Sequence, residues 1–253
     1  VGSEMCIRDS IEGAYQRNMR LAFRVVVDSR DKRTEFTPQF VKDAGAKGFM
    51  NKGKWSPYSD DPVFQKYYTK FVKALAKDFN DPSKVEFIDG FGLGKWGEYH
   101  TMIYSTGDDT PKKAVFNWVT DIYSQAFDKV PVVINYHRWI GAGKDWVDDE
   151  HFAADSEEML EEAIKKGYSL RHDAFGMTTY YGSWERRFAK KYRNICPIIM
   201  EGGWIVKSHN YWQDPRGYRK DSHEDVRRGE FDDSKEAHVN MMDFRFGCLL
   251  YTS

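Results

Sequence analysis

Phe87-Ile-Asp-Gly-Phe-Gly-Leu-Gly-Lys-Trp-Gly-Glu-Tyr-His100 is the stretch on which the reading of the fold turns. It starts inside an apolar run, Lys84-Val-Glu-Phe-Ile-Asp89, and passes directly into a glycine-rich loop carrying Trp96, Glu98 and His100. A second segment is built the same way: Ile198-Ile-Met-Glu-Gly-Gly-Trp204 is an apolar strand that ends in a glutamate, two glycines and a tryptophan. A carboxylate placed directly after an apolar strand is seldom there for packing, because burying an unpaired charge is costly. Glu98 and Glu201 are therefore read as functional, with a structural ion pair as the standing alternative for each.

Outward from these segments, apolar β-branched runs alternate with amphipathic ones. Leu21 to Asp28 reads as a strand, and Pro62 to Phe79 as a helix with Phe64, Tyr67, Phe71, Leu75 and Phe79 at helical spacing. Asp61 caps that helix, with Pro62 at its first position, where a missing N–H costs nothing. A helix is expected over 112–127, with Phe116, Val119, Ile122, Tyr123 and Phe127 on one face, and a strand over 130–135. Asp155 and Glu158 resemble a capping box opening a helix over 156–166 that Gly167 closes. A strand over 172–178, a helix over 184–192, a strand over 197–200 and a helix over 234–242 complete the series, and Asp243 to Arg245 begins another strand. The lysine-, glycine-, proline- and serine-rich segment 29–60 reads as a loop.

Strands apolar on both faces, alternating with helices, define a parallel sheet covered by helices. Polar and aromatic residues collect just after the strands, which suits a (β/α)8 TIM barrel better than a doubly wound sheet. No glycine fingerprint opens a helix after the first strand, so the dinucleotide-binding alternative is disfavoured. The 38 Lys and Arg residues nearly balance the 39 Asp and Glu and are spread along the chain, which argues against a nucleic-acid partner or a polybasic membrane patch. No apolar run approaches the roughly 18 residues that span a bilayer. The eight Trp and fifteen Tyr either fill a large core or stack on sugar rings, and composition leaves both open.

The two ends call for separate treatment. Glu4 to Ser10 back-translates to a DNA whose reverse complement encodes Cys-Leu-Leu-Tyr-Thr-Ser, the sequence of residues 248–253. That DNA resembles a transposon end used in preparing sequencing libraries. Residues 1–10 and 248–253 are accordingly expected to be artefactual tails flanking a partial catalytic domain over 11–247. Only Cys196 then remains of the three cysteines, so no intrachain disulfide is expected.

Glu98 and Glu201, 103 residues apart and three strand–helix units apart, resemble the catalytic pair of the clan A retaining glycoside hydrolases. The Trp96-Gly-Glu-Tyr-His100 motif also resembles a poorly characterised group of bacterial glycosidases of this barrel type. The resemblance implies that the acid/base glutamate follows the fourth strand and the nucleophile ends the seventh. Strands three to seven would then be visible, with the first two and the last missing. A chain so truncated is expected to expose unpaired strand edges, to aggregate and to be inactive alone.

The chemistry implied is double displacement, with Glu201 attacking the anomeric carbon and Glu98 serving as acid and then base. Members of the clan place Asn before the acid/base glutamate to bind the sugar 2-hydroxyl; here that position is Gly97, and Asn135 or His137 would have to supply the contact. Trp96, Trp204, Tyr180 and Tyr181 are candidates for the apolar wall, and His100 for a sugar hydroxyl. Clan members often hold the nucleophile with an arginine placed like Arg24, although a salt bridge within the barrel explains Arg24 equally well. Asp89 is read as structural, pairing with Arg24 or Arg171, and Arg171-His-Asp173 as a structural group on the opposite end of the barrel.

No metal-ligand spacing occurs, so neither metal nor cofactor is expected. The expected partner is a glycoside, oligosaccharide or polysaccharide. The resemblance alone favours a periplasmic or secreted location. The leading rival is a catalytically inert barrel that binds carbohydrate, which a glutamate tied up by a basic residue would mark. A metal-dependent hydrolase or lyase would need His and Asp clusters that the sequence lacks.

Overall fold

The computed structural model describes residues 2–28, 30, 35–144, 150–175, 181–202 and 223–243. Six parallel strands, β1 (Leu21–Arg24), β4 (Val85–Asp89), β5 (Val132–Asn135), β6 (Ser169–Phe175), β7 (Ile198–Gly202) and β8 (Met241–Asp243), form one sheet in the order β1-β4-β5-β6-β7-β8. Helices α3 (Pro62–Phe79), α4 (Lys112–Ala126), α5 (Glu150–Lys165), α6 (Ser183–Tyr192) and α7 (His223–Glu236) fall between successive strands of this sheet. This is an α/β fold, an incomplete (β/α)8 barrel. The five expected strands are present, and the sixth, β8, pairs in register with β7 (Ile199↔Met241, Glu201↔Asp243). Helix α1 (Gly2–Tyr15) precedes β1 and runs through residue 10.

The chain divides into two compact units, one of Val1–Val133, Gly141–Val147 and Lys166–Tyr168, the other of Ile134–Ile140, Asp148–Lys165 and Ser169–Ser253. In the first unit, β4 pairs with β1 (Arg24↔Asp89) and with the start of β5 (Asp89↔Val133). Asp61 caps α3 as expected, its carboxylate accepting from Phe64 N at 2.8 Å. The buried stripe of α3 is Phe64, Tyr68 and Val72, one position round from the expected face, and Phe71 is left exposed. Tyr68 decides that rotation. Its hydroxyl donates to Phe91 O and meets Tyr123 Oη on α4, both at 2.9 Å, so a buried tyrosine is satisfied only with this face inward. The face expected for α4 is the buried one.

The segment expected to be a loop contains a short helix, α2 (Gln39–Asp43), and an antiparallel hairpin of β2 (Gly48–Asn51) and β3 (Lys54–Pro57). Its two turn residues, Lys52 and Gly53, both have positive φ, the turn type that Asn-Gly usually signals. Lysine in the first of these places conceals the hairpin from a reading by turn residues.

In the second unit, β6 begins at Ser169, three residues before the expected start, which brings Arg171 to Asp173 inside the strand. Helix α5 begins at Glu150, so Asp155 is inside it and not at its cap; Gly167, at φ 94°, follows the helix as expected. Helix α7 ends at Glu236, earlier than expected. His238 takes a left-handed φ of 52°, Val239 N closes on Ser234 O, and Asn240 Oδ1 accepts from Ile198 N as the chain enters β8. A histidine in a place usually held by glycine hides that stop.

Candidate active site

Glu98 sits in the loop between β4 and α4, within the first unit. Between Gly92 and Thr101 six residues have positive φ, three of them not glycine: Trp96 (56°), Tyr99 (60°) and Thr101 (49°). Such a backbone persists only where its surroundings over-determine it, and it collects at functional sites. Here the anchor is Tyr99, wholly buried, whose N–H donates to Leu93 O at 2.9 Å and whose hydroxyl donates to Lys112 O at 3.2 Å. Lys95 N to His100 O at 3.0 Å and Gly141 N to Tyr99 O at 2.7 Å close the loop. Gly97, where the clan pattern has Asn, has φ 77°, and a Cβ there would lie 3.1 Å from both Arg24 Cδ and Val25 O. The departure has a steric cause: the backbone is left-handed and Arg24 occupies the space.

Arg24 joins two carboxylates. Its Nε donates to Asp89 Oδ2 at 2.7 Å and its Nη1 to Glu98 Oε1 at 3.0 Å. His100 Nε2 lies 3.2 Å from Glu98 Oε2, and its Nδ1 lies 3.0 Å from Thr101 Oγ1. A carboxylate only accepts, so Nε2 carries the proton toward Glu98, and in the neutral ring Nδ1 accepts from the Thr101 hydroxyl. Trp96 packs edge-on against His100, and Lys95 Nζ lies 4.2 Å from the Trp96 ring centroid. Arg24, Asp89, Trp96, Glu98 and His100 thus form one cluster.

Glu201 is delivered differently, by β7 of the second unit. The register Arg171↔Ile199 sets Arg171 on the strand face that Glu201 shares, and Asp173 follows where the β6–β7 register shifts, between His172 and Phe175. Arg171 Nη2 donates to Glu201 Oε2, and Arg171 Nε donates to Asp173 Oδ1 at 3.1 Å. Asn135 Nδ2, from β5, donates to Asp173 Oδ2 at 3.0 Å. Arg171 and Asp173 were expected at the opposite end of the barrel; the earlier start of β6 corrects this and places them beside the glutamate. The arginine on Glu201 is Arg171, while Arg24 serves Asp89 and Glu98. Their i, i+2 spacing on one strand face was the available signal.

The remaining candidates separate. His137 is buried, its Nδ1 accepting from Trp139 N at 3.2 Å. Tyr181 is also buried, stacked on Phe175 with its hydroxyl accepting from Tyr136 Oη at 3.1 Å, which makes it part of the core packing of its unit. His172, packed against Tyr136 and Tyr181, is pushed down to about 3 by burial and is neutral at ordinary pH. Arg138 and the buried Glu185 pair at 3.0 Å, and Glu185 also accepts from Gly182 N at the start of α6. Burial raises the Glu185 carboxyl above its ordinary value against the opposing pull of Arg138. Tyr180 and Trp204 lie outside the described residues. Among the described residues no three His, Cys, Asp or Glu side chains converge as a cation site, and no helix is long and apolar enough to cross a membrane.

The sequence matches no protein-family model and no curated protein. Solved structures do resemble it. Endo-glycoceramidase II from Rhodococcus sp., in its five-membered iminocyclitol complex, aligns with a TM-score of 0.51 at 13% identity over 95% of this chain and 59% of its own. The cellobiose-like isofagomine complex of the same protein gives 0.50 at 13% identity over 94% of this chain and 59% of its own. An endo-1,4-beta-xylanase from Caldicellulosiruptor owensensis gives 0.49 at 12% identity over 94% of this chain and 69% of its own. These neighbours are glycoside hydrolases, and the likeness to the first of them is one of fold. The chain spans 59% of the length of the endo-glycoceramidase structures.

Proposed function

We propose that the full-length protein containing this sequence is a retaining glycosidase, with Glu201 as nucleophile and Glu98 as acid/base. The observation that carries the reading is the loop after β4, where three non-glycine residues are held at positive φ around Glu98 by a buried tyrosine. A loop that exists to hold a carboxylate in place is more than a connection.

In the first half-reaction a Glu201 oxygen bonds to the anomeric carbon as the bond to the leaving oxygen breaks, and Glu98 donates its proton to that oxygen. In the second, Glu98 takes a proton from water, the water oxygen bonds to the anomeric carbon, and Glu201 departs. A guanidinium favours the ionised form of a carboxylate it touches, which suits the attacking role of Glu201 and the base role of Glu98 in the second step and opposes its acid role in the first. His100 and Trp96 would meet the sugar beside Glu98, and Asn135 and His137 are proposed to bind sugar hydroxyls. Trp204 and Tyr180 are proposed for the stacking wall. Retaining chemistry requires the two carboxyls roughly 5–5.5 Å apart.

A second reading is supported by the same arginines. Arg24 on Glu98 and Arg171 on Glu201 are the basic contacts expected of an inert carbohydrate-binding barrel. A panel of 4-nitrophenyl glycosides, assayed with the full-length protein and with Glu98→Gln and Glu201→Gln, separates the two. Hydrolysis that Glu201→Gln removes and Glu98→Gln lowers supports the glycosidase. Sugar binding by calorimetry with no hydrolysis, unchanged in both variants, selects the binding protein.

A further inference from the structure

We propose that Asp173 is a positioning residue for Glu201, fixing both the arginine that faces the nucleophile and the amide that faces its substrate. The inference rests on the glycosidase reading for its kinetic consequences, but the geometry stands in one unit of the fold. Three adjacent strands contribute: Asn135 from the end of β5, Arg171 and Asp173 from β6, and Glu201 from β7. Asp173 divides its two oxygens between two different donors, Oδ1 to Arg171 Nε and Oδ2 to Asn135 Nδ2. Its side chain is 10% exposed and that of Arg171 13%, so neither is a solvated surface charge free to find other partners.

Each bond restrains an orientation. An arginine that touches a carboxylate through one terminal nitrogen can still swing about its long stem; the Asp173 bond to Nε holds the planar guanidinium so that Nη2 points at Glu201 Oε2. An asparagine amide can sit either way round, but a carboxylate accepts only, so Nδ2 must face Asp173 and Oδ1 must face away. Asn135 is 5% exposed, and among the described residues its buried Oδ1 has no hydrogen-bond partner. A buried acceptor of this kind calls for a donor. A sugar hydroxyl fits it, with water in that place in the free protein. Asp173 therefore acts twice through other residues. Among the described residues, the charged groups that meet Glu201 from the adjoining strand β6 include Arg171, and Asp173 through it.

The test compares Asp173→Asn, Arg171→Lys, Arg171→Met and Asn135→Leu in the full-length protein. Two readouts are used: the acidic limb of the pH profile of kcat/KM, and the 13C chemical shift of the Glu201 side-chain carboxyl, assigned by its loss in Glu201→Gln. Removing a positive neighbour raises a carboxyl's titration by about 1–3 pH units, so Arg171→Met should move both midpoints up, and Arg171→Lys by less. Asp173→Asn is decisive in sign. If Asp173 aims Arg171, the midpoints rise toward those of Arg171→Met and KM rises as well; if it were only a nearby negative charge, they would fall. Asn135→Leu should raise KM without moving the acidic limb. A fall or no change in Asp173→Asn overturns the proposal, whatever happens to the melting temperature. An inactive wild-type protein overturns the glycosidase reading instead, and the carboxyl titration still tests Asp173.

Discussion

Glu98 and Glu201 are held by the same two kinds of group in two different ways. Around Glu98, Arg24 lies between the glutamate and Asp89; around Glu201, Arg171 lies between the glutamate and Asp173. The backbones differ. Glu201 has an ordinary strand backbone: β7 is paired in register with β8 throughout and with β6 as far as Met200, the β6–β7 register shifting between His172 and Phe175. Glu98 follows a run of left-handed residues that regular structure would never produce, stabilised through the buried Tyr99. A strand places its last side chain through many shared hydrogen bonds, so single changes nearby are absorbed. A strained loop depends on a few contacts, so small changes there should be expensive. That contrast would suit the roles proposed for them, a nucleophile that must not move and an acid/base that must exchange a proton at each step.

The contrast can be broken most sharply at the glutamates themselves. Glu201→Gln removes the nucleophile, and the expected loss in kcat is on the order of 10⁶-fold with every substrate, as in other hydrolases stripped of theirs. Glu98→Gln removes proton transfer; in kcat/KM, which reports the first step, this is expected to cost about 10²–10⁴-fold with an alkyl leaving group and much less with 2,4-dinitrophenol, which needs no protonation. Initial rates across a leaving-group series check this. The same loss in both variants with every leaving group would undo the assignment of roles.

Next in size is the steric demand at the loop. Gly97→Ala places a Cβ against Arg24 and Val25 at a left-handed residue, and should destabilise the fold by about 1–2 kcal/mol. Activity should fall further than that loss of stability explains, since Glu98 is the next residue. Urea unfolding alongside kcat measures both.

The Glu201 region carries its own pH signature through His172. The unfolded chain takes up a proton on this ring below about 6.5, while the folded one does so only near 3. The folded state is therefore fully favoured by this group above pH 6.5, and the contribution is lost as the pH falls through that window toward 3. His172→Gln should flatten the dependence of Tm on pH between those limits, read as the difference from wild type. The smallest effect on stability is expected from Tyr99→Phe, which deletes the bond to Lys112 O and should cost about 1 kcal/mol, with kcat falling further because the Glu98 loop rests on few contacts.

The difference between the two regions also explains what could be read from sequence. The alternation of strands and helices, the Asp61 cap, the face of α4, the position of Glu201 at a strand end and that of Glu98 in the loop after a strand were legible, because they follow from local periodicity and from residues with a single strong preference. The second carboxylate cluster was not. Arg171 and Asp173 read as a polar stretch ahead of a strand, because the strand start at Ser169 is set by pairing with β7 and not by local composition. The rotation of α3 depended on the partner of the Tyr68 hydroxyl, a long-range fact. The β2–β3 hairpin and the end of α7 were hidden by lysine and histidine at left-handed positions where glycine or asparagine would have announced a turn. Gly97 is the converse: the sequence displayed the departure from the clan pattern, and only the position of Arg24 gave its cause.

The most direct test of the central claim is covalent trapping. The full-length protein would be incubated with a panel of 2-deoxy-2-fluoro dinitrophenyl glycosides, whose good leaving group permits the first step while the fluorine slows the second. Intact mass and peptide mapping then locate any label. The account requires one sugar bound to the peptide containing Glu201, absent in Glu201→Gln. A label on Glu98, or hydrolysis with inversion and no label at all, would contradict it.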